Sequence, residues 1–180
     1  EKAWDAFRLY RAHPGPKATK FELEDYERAR RDFRASYGKG KRAADGTRVI
    51  FQSTRPPYEC DQIFTMNLDG GDVRLASGGK GRTTCSFFLP DGKRFVYAST
   101  HLAGDGCLAP PDRSQGYVWA LYPEYDVFVG SLDGGPPVRL TETPGYDAEA
   151  AVSPDGARIV FTSVRDGDLE LYTMKPDGSD

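Results

Sequence analysis

Ser153-Pro154-Asp155-Gly156-Ala157-Arg158-Ile159-Val160-Phe161-Thr162-Ser163 reads as a tight turn running into a short strand. Pro154 presets φ for the turn, and Asp155-Gly156 tolerates the geometry that follows. Arg158 to Ser163 is then β-branched and aromatic, as a strand should be. The same unit occurs as Leu89-Pro90-Asp91-Gly92-Lys93-Arg94-Phe95-Val96-Tyr97-Ala98-Ser99, and again over residues 44–53 as Ala44-Asp45-Gly46-Thr47-Arg48-Val49-Ile50-Phe51-Gln52-Ser53, where the proline is missing. Recurrence of this kind marks a repeat architecture and is read before anything else.

Each unit continues in the same order. A second strand follows (Gln62–Met66, Asp126–Gly130, Glu170–Met174), then a second Asp-Gly turn at Asp69, Asp133 or Asp177. A short third strand (Val73–Leu75, Val138–Thr141) leads to a fourth (Thr84–Leu89, Ala148–Ser153). The turn aspartates keep time: 22 residues separate Asp69 from Asp91, Asp133 from Asp155, and Asp155 from Asp177, and 24 separate Asp45 from Asp69. Only the step from Asp91 to Asp133, at 42 residues, departs, because an insertion lies between Thr100 and Tyr125. Four strands per ~45 residues is the period of a β-propeller blade. The expected fold is all-β: a partial propeller of four-stranded antiparallel blades over residues 44–180, preceded by an α-helical segment and linker over residues 1–43.

The composite repeat, Ser-Pro-Asp-Gly-x-x-Ile-Val-Phe-x-Ser-x-Arg-Asp-Gly-x-x-x-Leu-Tyr-x-Met-x-x-Asp-Gly, resembles that of TolB-like β-propellers. Residues 153–178 follow it almost position for position, residues 89–135 follow it around the insertion, and residues 44–71 follow it with two extra residues near Pro56-Pro57. The stretch before Asp45 lacks an apolar innermost strand, so the first blade is expected to be incomplete. Such propellers occur as periplasmic binding proteins and as companion domains of prolyl-oligopeptidase-like enzymes, so the fold alone does not choose a function. The resemblance implies a non-catalytic scaffold of the periplasm or cell envelope, or an extracellular one, whose partner is a protein or envelope component. The alternative it leaves open is a companion to a peptidase or amidohydrolase domain encoded elsewhere. Three blades do not close a ring, so further blades of the same chain are expected beyond one or both ends.

Composition is consistent with this. The chain has 180 residues, 38% hydrophobic and 28% charged, with net charge −3. That composition describes a globular protein and gives no reason to expect nucleic acid. No apolar run approaches the ~20 residues of a membrane span. The chain opens on Glu1 and stops inside a repeat, as a fragment or processed piece would. Trp4, Phe7 and Tyr10 suggest one short helix before His13-Pro14-Gly15-Pro16. Tyr26, Ala29, Phe33 and Tyr37 lie on one face of a second, with Thr19 and Glu22 as its capping box.

Strands alternate direction, so both Asp-Gly turns of a blade lie at one end and the remaining loops at the other. Cys60, Cys85, His101 and Cys107 all fall toward that second end. Three readings compete for them. One is a disulfide, for which export would be permissive and in which Cys60–Cys85 is favoured over Cys85–Cys107. The others are buried thiols and a zinc site that also takes His101. The insertion from His101 to Glu124 is stiffened by Pro110-Pro111 and loaded with Tyr117, Trp119 and Tyr122, the residue types that anchor interfaces. Arg55 and Arg165 hold equivalent positions two residues after Ser53 and Ser163, past the second strand of their blades, and His101 takes that place in the middle unit. Arg55, His101, Tyr117, Trp119, Tyr122 and Arg165 therefore make up the candidate binding surface. Asp166-Gly167-Asp168 falls far short of a calcium cage. No cofactor is implied. Gly-x-Ser-x-Gly and His-Glu-x-x-His are absent, and the aspartates are explained by turns, so no catalytic residue is expected in this segment.

Overall fold

The computed structural model describes residue 43 and residues 45–179. The expected helices fall on residues outside that range. Ten strands are present among the described residues: β1 (Arg48–Ser53), β2 (Gln62–Asn67), β3 (Arg74–Leu75), β4 (Thr83–Phe88), β5 (Arg94–Ser99), β6 (Asp126–Ser131), β7 (Val138–Arg139), β8 (Asp147–Val152), β9 (Ile159–Ser163) and β10 (Glu170–Met174). They form three antiparallel sheets in chain order, β1-β2-β3, β4-β5-β6-β7 and β8-β9-β10. The middle sheet is a complete four-stranded blade. Among the described residues the first sheet lacks an inner strand and the third an outer one. The inner strands each start one residue earlier than their β-rich runs suggest, at Thr83 and Asp147. The outermost strands β3 and β7 shrink to two-residue ladders.

The middle blade shows why its strands are continuously apolar. Side chains of successive strand residues point to opposite faces, and both faces here are covered. Phe88, Phe95, Tyr97 and Phe128 face the first sheet and pack with Ile50 and Ile63. Phe87, Val96, Val127 and Val129 face the third and pack with Ala150, Ile159 and Phe161. Burying one such side chain contributes about 1.5–3 kcal/mol. β10, covered on one face, alternates between more and less exposed positions along its length. Gly130 sits opposite Phe95 in the β5–β6 register. A Cβ there would lie 2.5 Å from the Phe95 ring, so this position has room only for glycine.

The Asp-Gly turns collect at one end. Asp155 Oδ1 accepts from Ala157 N at 2.9 Å, and Asp91 Oδ1 accepts from Lys93 N at 2.9 Å. Leu132 N donates to Lys93 O at 2.9 Å, which ties the second turn of the middle blade to the first. Gly156 has φ +72°, and a Cβ on it would lie 2.3 Å from Pro90 Cγ, so the turns of neighbouring blades touch. The turn hydrogen bonds lower the carboxyl pKa of Asp155, through Ser153 first, and of Asp177, through Ser179. These aspartates are structural.

Candidate functional site

The opposite end carries the loops between the second and third strands of each blade and the links between blades. A basic side chain recurs there two residues after a strand-ending serine, and each instance folds back onto its own blade. Arg165 Nε donates to Ser163 Oγ at 2.9 Å, with its guanidinium 4.9 Å from the Phe161 ring centroid and 4.7 Å from that of Tyr172. Its terminal nitrogen reaches both carboxylate oxygens of the buried Asp147 at 3.3 Å. Arg55 repeats the arrangement with Ser53 Oγ at 3.3 Å and the Phe51 and Phe64 rings at 5.4 and 4.8 Å. His101 Nδ1 lies 2.8 Å from Ser99 Oγ, and its ring centroid is 4.5 Å from that of Phe128. A serine beside a histidine invites a catalytic reading. The two arginines, which cannot act as bases, hold the same place on the same serine, so the contact belongs to the repeat. Ser99 is also buried.

Burial, the largest cause, holds the His101 imidazole below its ordinary value. Asp126 pulls it up, and Lys80 pushes it further down. A depressed folded-state value means stability that is present above the unfolded value of about 6.5 and lost as pH falls through the folded one. Melting temperatures between pH 7.5 and 5.5 will therefore fall in the parent chain and fall less in His101→Gln. Equal slopes for the two would remove His101 as the cause.

The insertion is held at several points. A disulfide joins Cys60, in the β1–β2 loop, to Cys107, across 47 residues with Cα atoms 5.6 Å apart. This corrects the favoured pairing: Cys85 lies outside the disulfide. Cys85 sits at a bulge in β4 with φ 53°, where Gln52 Oε1 accepts from its backbone N at 3.0 Å and Thr84 Oγ1 donates to its sulfur at 3.3 Å. A position inside an inner strand cannot swing toward the β1–β2 loop as a long insertion can. The disulfide also takes two of the four ligands from the zinc alternative. Among the described residues, no group of three or more His, Cys, Asp or Glu could hold a metal ion.

Beyond the disulfide, Gly81 N donates to Asp105 O at 2.9 Å and Tyr122 hydroxyl donates to Ala109 O at 2.8 Å. Trp119 Nε1 donates to the Tyr146 hydroxyl at 3.4 Å. Tyr122, Tyr125 and Tyr146 form a ring cluster, with centroid separations of 6.2 and 5.8 Å. Burial raises the phenol pKa of Tyr125 and Tyr146. The six sequence candidates thus divide. Arg55, His101 and Arg165 are half-buried, each in its own blade, and Tyr122 packs inward. Tyr117 and Trp119 face solvent, 78% and 56% exposed, and Leu102, Val118 and Leu121 are exposed with them. Sequence reasoning missed Tyr146, which precedes β8 and braces Trp119. Its only signal is a tyrosine at the entry of an inner strand.

Three adjacent antiparallel sheets with this repeat define a β-propeller segment. No family model matches the chain. It is 30% identical over 157 residues to a Protein TolB homolog from Chlorobium luteolum, covering 75% of this chain and 36% of that protein. It is 27% identical over 165 residues to the Tol-Pal system protein TolB of Bordetella pertussis, covering 75% and 37%. A solved TolB structure from Agrobacterium tumefaciens superposes with a TM-score of 0.56 at 23% identity, covering 77% of this chain and 42% of that one. By repeat and by fold, the chain belongs to the TolB-like β-propeller family. It spans about a third of the length of the curated relatives it matches.

Proposed function

We propose that this chain is part of a non-catalytic TolB-like scaffold of the periplasm or cell envelope that binds another protein or an envelope component. The reading is carried by the solvent-facing Tyr117 and Trp119 on an insertion fastened to two neighbouring blades. Long loops on a rigid framework are where binding usually resides. Holding aromatic side chains in place beforehand lowers the entropy lost on binding. The disulfide suits an oxidising compartment, and the Bordetella relative carries the name of the Tol-Pal system. No helix among the described residues is long and apolar enough to cross a membrane.

The test is capture of partners from solubilised envelopes by the immobilised chain, compared with Tyr117→Ala/Trp119→Ala. Both side chains are exposed, so the double variant keeps the parent far-ultraviolet circular dichroism while losing the captured species. An identical set of captured species from both proteins would remove the insertion from the binding surface.

A further inference from the structure

The insertion's end of the molecule is charged unevenly. Among the described residues, its loops expose Glu59, Asp105, Asp112, Glu142, Asp166 and Asp168 against only two exposed bases, Lys80 and Arg113. Lys80 is engaged by Asp105 at 3.1 Å. The opposite end has as many carboxylates, but several have basic partners. Asp91 meets Arg94 at 2.6 Å, Asp133 meets Lys93 at 3.4 Å, and Asp72 meets both Arg48 and Arg74 at 2.6 and 2.7 Å. The acidic excess therefore lies at the end that carries the aromatic insertion.

The aromatics are placed to exploit it. Trp119 stays 56% exposed while its indole N–H is held by Tyr146, four residues beyond Glu142 in the link to the third blade. Val118 and Leu121 extend the apolar surface on either side of Trp119, and Tyr117 stands most exposed of all. An exposed indole face attracts an ammonium or guanidinium group. A surrounding field of carboxylates steers a cationic partner in and turns an acidic one away. An apolar side chain next to the cation would then cover Val118 and Leu121.

We propose that this surface takes a cationic stretch of a partner protein, with lysine or arginine beside bulky apolar side chains. The inference rests on the scaffold reading above and adds the chemistry of the occupant.

The probe is a peptide of about twelve residues, Lys-Leu-Gly-Lys-Phe-Gly repeated, roughly 40 Å long when extended. It is titrated calorimetrically into the full chain beside its glutamate counterpart. The lysine peptide binds, the glutamate peptide does not, and raising salt from about 0.02 to about 0.15 M weakens binding. Trp119→Ala lowers affinity about tenfold. Glu142→Gln with Asp112→Asn, both exposed and nearly isosteric, lowers it and flattens the salt dependence. Equal binding of the two peptides overturns the proposal, as does indifference to both sets of substitutions. If the lysine peptide fails while envelope capture still depends on Trp119, the cationic occupant is wrong and the scaffold reading stands. Capture that does not depend on Trp119 removes the surface itself, whatever the peptides do.

Discussion

Replacing Cys60 and Cys107 together by serine destabilises the blades by about 4 kcal/mol, from the loop entropy released when a closure of 47 residues is opened. For a chain of this size that is a fall in melting temperature of about 10 °C. The disulfide does not fasten one blade internally. It ties the loop between β1 and β2, in the first sheet, to the insertion between β5 and β6, in the second, so its loss frees the insertion as well as lowering global stability. Cys60 is buried and Cys107 is exposed. Reduction therefore first releases the insertion, which becomes open to protease between residues 108 and 121, while the packing of Phe88, Phe95 and Phe128 persists. Cys85→Ser is the control and leaves the melt of the oxidised protein within about 1 kcal/mol of the parent. A loss in Cys85→Ser as large as that in the double variant would mean that the thiols pair differently in solution, since every other pairing uses Cys85.

The misassigned disulfide shows what the sequence does and does not contain. The strands were legible because their signals are local: a turn aspartate, a glycine with positive φ, and a β-branched run recurring at a fixed spacing. Residues Gln62, Asp126 and Glu170, read as the first residues of their strands, are the first residues of β2, β6 and β10. The sequence pattern extends the outer strands one to two residues past their ladders, since Val73, Leu140 and Thr141 are apolar or β-branched enough for a strand but lie outside the pairing. Thr141 serves differently: its hydroxyl accepts from Val127 N at 2.9 Å, as Ser77 Oγ accepts from Ile63 N at 3.1 Å. The cysteine pairing depends on where a 24-residue insertion folds, and nothing in its composition says that it leans back over the first blade. The candidate surface was legible in part for the same reason. Sequence finds the aromatics, but only packing separates Tyr122, which turns inward, from Tyr117 and Trp119, which do not.

Arg165→Met costs about 2–3 kcal/mol, whereas Arg55→Met, at the equivalent position two blades earlier, costs about 1 kcal/mol or less. Both arginines lie over two aromatic rings and donate to the preceding serine, so those contributions nearly cancel in the comparison. They differ in the acid beneath. Arg165 is paired with Asp147, whose side chain is 1% exposed, and removing the cation leaves a buried carboxylate uncompensated. The cost falls below the roughly 3–5 kcal/mol of a fully broken buried pair because the guanidinium is itself 27% exposed. Asp126 worsens it, since that buried carboxyl, whose pKa is raised first by burial, also feels the charge of Asp147. Adding Asp147→Asn to Arg165→Met removes the orphaned charge at nearly constant shape and recovers most of the loss, which a double-mutant cycle in denaturant reads directly. Equal costs for the two arginine substitutions would assign the effect to ring stacking. A larger cost for Arg165→Met would mean that Arg165 is held in place by its own blade through Asp147, which sets it apart from the surface that Trp119, Tyr117 and their exposed neighbours offer to a partner.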